Sequence, residues 1–141
     1  MTESEWLTRK RRIDTRLTGM NPAWKIVPWK EGVDTRALTH HAVIEFPTES
    51  GPADYALFVK GQLLGIIEAK KVTVDPQNVL NQAMRYAKGV KDGVGNWNGF
   101  HVPFLYATNG EAIWHIDMRH EKPSSREISQ FHTATAMEER L

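Results

Sequence analysis

Two apolar runs separated by a lysine and a glycine constrain this chain more than any other feature. They read Asp54-Tyr-Ala-Leu-Phe-Val59 and Gln62-Leu-Leu-Gly-Ile-Ile-Glu-Ala-Lys70, with Lys60-Gly61 between them. Runs that are apolar at both odd and even positions need cover on both faces, so they predict two inner strands of a sheet with helices on either side, joined as a hairpin. Asp54 starts the first run, and Glu68 and Lys70 stand two apart at the end of the second. Residues two apart on a strand share a face. A two-residue turn at Lys60-Gly61 would place Asp54 with Ile67, on the face away from Glu68. A three-residue loop over Val59-Lys60-Gly61, or a bulge, would set Asp54 across from Ile66 and diagonally beside Glu68, roughly 7 Å apart at Cα.

The rest of the chain supplies the cover. Thr2-Glu3-Ser4-Glu5 has the form of a capping box, and Trp6, Ile13 and Leu17 follow at helical spacing as far as Gly19. Residues 20–40, with Pro22 and Pro28 among Trp24, Ile26 and Trp29, read as an irregular or short-strand connection. His41 to Phe46 is strand-like, and 47–52 is turn-rich. Asp75-Pro76 is a helix start, with Val79, Leu80, Ala83 and Ala87 as its apolar stripe and Gly89 as its stop. Residues 92–101 form a loop around Trp97. Pro103 to Thr108 and Glu111 to Asp117 are paired strands about an Asn109-Gly110 turn. From Met118 onward the sequence turns polar, with a short helix over 134–140. The expected fold class is α/β, a mixed central sheet flanked by helices in the order α-β-β-β-α-β-β. The expected folded domain is 1–118, with 119–141 a polar tail or the start of a linker.

Composition narrows the chemistry. Eighteen Lys and Arg against seventeen Asp and Glu leave a net +1, so an attraction for nucleic acid must come from local patches. The clearest is Arg9, Lys10, Arg11, Arg12 and Arg16, which reads either as a solvated helix face or as phosphate contacts. The absence of cysteine excludes disulfides, thiolate zinc sites and thiol nucleophiles, and is compatible with a reducing cytoplasm. No apolar run approaches eighteen residues, so no membrane partner is expected and a cytoplasmic location is. No phosphate-loop motif occurs, so no ATP site is expected. The six histidines include no helical i, i+4 pair, and His40 and His41, adjacent on a strand, would face opposite ways.

Two carboxylates and an amine at strand ends suit phosphodiester hydrolysis. That reaction needs a nucleophilic water, stabilisation of charge on the non-bridging oxygens and help for the leaving oxygen, all of which hard cations supply. Magnesium keeps several waters and takes only one or two protein carboxylates. Asp54 and Glu68 meet that demand, the Ala69 carbonyl can add an oxygen, and Lys70 would orient the water and neutralise developing charge. The same residues also read as a plain hairpin with charged ends in solvent.

The spacing D-x13-E-x-K resembles the motif of the PD-(D/E)xK nucleases. Ala53-Asp54-Tyr55-Ala56-Leu57, Ile67-Glu68-Ala69-Lys70-Lys71, Gln82 with Tyr86, and Pro103 to Gly110 together resemble the N-terminal nuclease domain of the restriction (R) subunit of type I restriction-modification enzymes. Glu5, Thr8, Arg9, Ile13 and Asp14 match that family's first helix, coverage runs from about residue 3 to 118, and Phe131-His132-Thr133 resembles the join to its motor. The resemblance implies a restriction-endonuclease-like fold and a Mg2+-dependent endonuclease for double-stranded DNA, with Mn2+ as a substitute ion. It implies Asp54 and Glu68 as metal ligands and Lys70 as the catalytic lysine. Gln82 and Tyr86 match the Q-x-x-x-Y signature of the RecB-like branch and, four apart, share a helix face; a polar strip on an amphipathic helix is the other reading. Glu5 is either a further metal ligand or a helix cap. The implied partners are DNA, a motor domain, and modification and specificity subunits. A stand-alone nuclease of repair or mobile elements and a non-catalytic DNA-binding or docking module, using Arg9, Arg12 and the Trp97 loop, are the alternatives.

Overall fold

The two apolar runs lie at the middle of a seven-stranded mixed sheet. The computed structural model describes residues 4–71, 73, 75, 80–90 and 93–141, without the side chains of residues 5 and 10. The strands are β1 (Lys25–Pro28), β2 (His40–Thr48), β3 (Gly51–Val59), β4 (Gln62–Ala69), β5 (Phe104–Thr108), β6 (Ile113–Asp117) and β7 (Ser125–Ile128), and they lie side by side in chain order. β1 runs parallel to β2 and β4 parallel to β5; the other neighbours are antiparallel. The α/β class expected from the hydrophobic pattern holds, but the element order gains a strand at each edge. β1 comes from the stretch read as a connection, and β7 from the stretch read as a tail.

Helices cover both faces. The N-terminal helix runs as α1 (Glu5–Thr8), a π-helical stretch Arg9–Ile13 and α2 (Asp14–Thr18). Its start is capped by Ser4, whose hydroxyl accepts from the Leu7 amide at 3.2 Å; Thr2, expected in that role, lies outside the described residues. Ile13 and Leu17 pack with Trp24, Tyr55, Leu57, Ile67, Tyr106 and Met137 into one core, on one side of the sheet. The other core joins Ala56, Phe58, Ile66 and Leu105 to Leu80, Ala83, Tyr86 and Ala87 of α3 (Leu80–Lys88). Alanines at 83 and 87 let this helix lie close to the sheet. The expected cap at Asp75-Pro76 falls mostly outside the described residues.

The 119–141 stretch belongs to the same folded unit. β7 pairs with β6, and α4 (Ala134–Arg140) drives Met137, fully buried, into the first core against Gly65. Thr133 caps α4 by accepting from the Ala136 amide at 3.1 Å. Trp24 Nε1 donates to the His132 carbonyl at 3.1 Å, tying this segment to the residues after the first helix. Exposed strand residues such as Arg126 and Glu127 made β7 look like a tail, but an edge strand needs only ladder hydrogen bonds from one neighbour.

Candidate active site

The local register of β3 and β4 sets the site. Lys60 (φ 48) and Gly61 (φ 80) form a two-residue turn in the left-handed region, the turn that matches strand twist. A two-residue turn would leave Asp54 and Glu68 on opposite faces, yet the register shifts between Leu57 and Phe58. Phe58 pairs with Leu63 and Leu57 with Gly65, so Leu64 is an extra residue, a bulge buried in the core. Beyond it Ala56 pairs with Ile66 and Tyr55 with Ile67. One further step along this register sets Asp54 directly opposite Glu68. The bulge thus replaces the three-residue loop, and the position opposite Ile66, expected for Asp54, is taken by Ala56.

Both carboxylates are buried, Asp54 at 8% and Glu68 at 4% exposure. Asp54 Oδ2 accepts from the Ala69 amide at 2.7 Å. The hydrogen bond at Ala69 that reaches the carboxylates therefore comes from its N–H. Lys70 lies just past β4 and is half-buried. Its amide donates to the Thr108 carbonyl at 2.9 Å, which carries the ladder with β5, and with it the face alternation, one residue beyond the strand.

Arg9 of the first helix lies beside Asp54, and the charges of both carboxylates act on Tyr86 of α3. On α3, Gln82 hydrogen-bonds the Tyr86 hydroxyl. Burial raises the Tyr86 pKa, and the charges of Glu68, Asp54 and Glu45 raise it further, so the phenol remains a neutral donor beside the acids. From the first helix, Arg9 Nη1 lies 2.7 Å from Glu45 Oε1 and 3.7 Å from Asp54 Oδ1. Burial alone would lower the Arg9 pKa, but the Glu45 hydrogen bond and the Asp54 charge outweigh it and hold the guanidinium above its ordinary value. Arg9 also lies over the Tyr55 ring, 5.5 Å from its centroid. The Tyr55 hydroxyl donates to Asp14 Oδ1 at 2.5 Å, which anchors the first helix to β3.

The basic run separates by role. Arg9 joins the carboxylates, whereas Arg12 pairs with Glu111 at 3.4 Å and Arg16 donates to the carbonyls of Glu111 and Ser129. These contacts brace the helix against the loop after β5 and the end of β7. Glu45 is the residue that the sequence pattern did not single out. It sits in β2 between the pairs Ile44–Tyr55 and Phe46–Ala53 with φ 60, a conformation uncommon for any residue but glycine. No periodicity marks it; only cross-strand register brings it to Asp54. The Glu5 side chain lies outside the described structure.

The donor set was compared with what a hard divalent ion requires. Among the described residues no group of three His, Cys, Asp or Glu side chains forms a metal centre by itself. Two adjacent buried carboxylates with a lysine beside them still meet magnesium's smaller demand on the protein.

Comparison with known proteins places the chain in a family. The model for the type I restriction enzyme EcoKI endonuclease subunit second domain matches residues 25–141. The type I restriction enzyme EcoKI endonuclease subunit of Escherichia coli (strain K12) is 25% identical over 175 residues, covering 92% of this chain and 15% of that protein. In structure, 99% of the chain superposes with a TM-score of 0.60 and 19% identity on a fragment described as an HsdR subunit of a type I restriction enzyme from Vibrio vulnificus YJ016. The chain covers 25% of that fragment, so it spans a small part of both relatives. No helix among the described residues is long and apolar enough to cross a membrane. The match over most of its length shows that this chain belongs to the family of the EcoKI-type endonuclease subunit second domain of type I restriction enzymes.

Proposed function

We propose that this chain is the DNA-cleaving module of a type I restriction endonuclease subunit, with a PD-(D/E)xK site that hydrolyses phosphodiester bonds of double-stranded DNA. The observation that carries the reading is the bulge at Leu64, which turns a hairpin that would separate Asp54 and Glu68 into one that aligns them. In this reading Asp54 and Glu68 hold Mg2+, with Mn2+ as a substitute. The bound ion would supply Lewis-acid activation and neutralise charge on the scissile phosphate. Lys70, on the face of Glu68, orients the attacking water and offsets the growing negative charge. Gln82 and Tyr86 donate hydrogen bonds that hold a carboxylate or a DNA phosphate in place. Arg9, 3.7 Å from Asp54 Oδ1, holds that carboxylate in place, which gives the first basic residue of the run a part in the site. Arg12, engaged with Glu111, acts on the helix rather than on DNA. A motor domain and the modification and specificity subunits would deliver DNA and select the sequence, in a cytoplasmic complex.

Calorimetric titration of the chain with Mg2+ or Mn2+, alongside cleavage of supercoiled plasmid, tests this. Ion uptake by the wild type and its loss in Asp54→Ala and Glu68→Ala support it. Uptake that survives both substitutions would falsify it. Lys70→Ala separates a nuclease from a docking module, because only a nuclease loses cleavage while keeping its DNA affinity.

A further inference from the structure

Glu45 stands across from Asp54 on the neighbouring strand, in an unusual setting. Its neighbours in β2 pair with the residues on either side of Asp54, Ile44 with Tyr55 and Phe46 with Ala53, so register puts Glu45 opposite Asp54. Its φ of 60 is a conformation that glycine adopts freely and that a residue with a side chain adopts at a cost. Glycine would hold that backbone with less strain, so a glutamate there is explained by what its carboxylate touches.

What it touches is Arg9. Arg9 Nη1 donates to Glu45 Oε1 at 2.7 Å and stops 3.7 Å from Asp54 Oδ1. The first contact is a charge-assisted hydrogen bond, whereas the second is too long for one and acts through charge alone. Asp54 Oδ2 accepts from the Ala69 amide, so Oδ1 is the oxygen on the side of the guanidinium. One nitrogen serves both acids, and a shift of about 1 Å would carry it from hydrogen-bonding Glu45 to hydrogen-bonding Asp54. Both elements that meet here are irregular. Arg9 opens the π-helical stretch of the first helix, a form frequent at functional sites, and Glu45 breaks the extended run of β2.

Arg9 has little room to go elsewhere. Its side chain is 16% exposed and lies over the Tyr55 ring, and among the described residues Glu45 and Asp54 are the acids it meets. Without the Glu45 carboxylate, the guanidinium would close on Asp54. An arginine fork on a carboxylate occupies its lone pairs and sets a positive charge beside it, and both effects oppose a metal ion at the same oxygens. We propose that Glu45 is a positioning residue: it holds the Arg9 guanidinium at its own carboxylate, so that a divalent cation rather than Arg9 engages Asp54 Oδ1. This inference rests on the reading of Asp54 and Glu68 as metal ligands. Glu45 acts through Arg9 and is not itself a ligand, in keeping with the finding that no three acids among the described residues converge on one ion.

The test is calorimetric titration of the full chain with Mn2+ in four forms: wild type, Glu45→Ala, Arg9→Gln and the double variant Arg9→Gln, Glu45→Ala. Glu45→Ala is expected to weaken Mn2+ binding about tenfold or more, and adding Arg9→Gln to recover most of that factor. Recovery is what a merely structural role cannot give, because an anchor lost from one side is not restored by removing the other. Thermal unfolding checks that each variant folds. Should Glu45→Ala fail to fold, Glu45→Gln, which keeps the size but not the charge, is compared with and without Arg9→Gln in its place, with the same directions expected. Undiminished Mn2+ affinity in the Glu45 variants, or a double variant that binds as weakly as the Glu45 variant alone, overturns the proposal and leaves the metal ligands standing. Absence of Mn2+ uptake by the wild type overturns the reading of the site and this inference with it.

Discussion

The two buried polar clusters handle titratable groups in opposite ways. At the β3–β4 end, Asp54 and Glu68 are kept together where water is scarce, and the Ala69 amide at 2.7 Å and Arg9 at 3.7 Å are the positive partners of Asp54. At the β5–β7 edge, burial pushes the pKa of His115 down to about 4, with the charge of His132 adding to it, and His132 is likewise lowered to about 4. One cluster gathers two carboxylates with a guanidinium beside them. The other holds two neutral imidazoles, His115 and His132. The same sheet does both because the polar atoms around each cluster differ: backbone amide and guanidinium at the first, a backbone carbonyl at the second.

Substitutions can break this contrast. The largest effect is expected at the acids: Asp54→Ala or Glu68→Ala should reduce cleavage by on the order of a thousandfold. Glu68→Gln should do so without lowering the melting temperature, since it removes a buried charge beside another; a large drop in melting temperature would mean that the pair stabilises the fold instead. Next in size is Met137→Ala, expected to destabilise the chain by about 2–4 kcal/mol in urea unfolding, because it opens a cavity beneath α4. A change below about 0.5 kcal/mol would show that 119–141 does not share the core.

The histidine cluster should appear in the pH dependence of stability. With a folded-state pKa of about 4 against an ordinary 6.5, His115 takes up its proton more readily in the unfolded chain. Its contribution is therefore level above pH 6.5, and stability falls as pH drops from 6.5 towards 4. The slope approaches about 1.4 kcal/mol per pH unit in that window. Urea midpoints measured across it should show the fall in the wild type and a flatter profile in His115→Phe; equal slopes would mean that the ring is solvated. The smallest effect is expected for Tyr55→Phe, about 1 kcal/mol, from loss of the hydroxyl bond to Asp14 that holds the first helix on β3.

Much of the fold was legible from residue pattern. The two central strands, the strand from His41, the 103–108 and 111–117 pair and the helix ending at Gly89 follow from apolar continuity and turn residues. The Asn109-Gly110 signal marked the right place but the wrong geometry. Thr108 pairs with Ile113, and Asn109 Oδ1 accepts from the amides of Glu111 and Ala112, which makes a longer side-chain-closed loop. Edge strands β1 and β7 were hidden because half of each faces solvent and their ladder partners lie elsewhere in the chain.

For the site, residue order dictated the candidates: Asp54, Glu68, Lys70, Gln82 and Tyr86 stand out by type and spacing before any fold is known. Their alignment could not be read that way. Whether a hairpin closes in register or with one extra residue depends on how Leu64 fits the core beneath helices distant in sequence, and a one-residue slip turns a strand's side chains to the other face. The same holds for Glu45 beside Arg9 and for Arg126 beside His115. These neighbours belong to different strands, so folding rather than sequence proximity brings their charges and lone pairs within range.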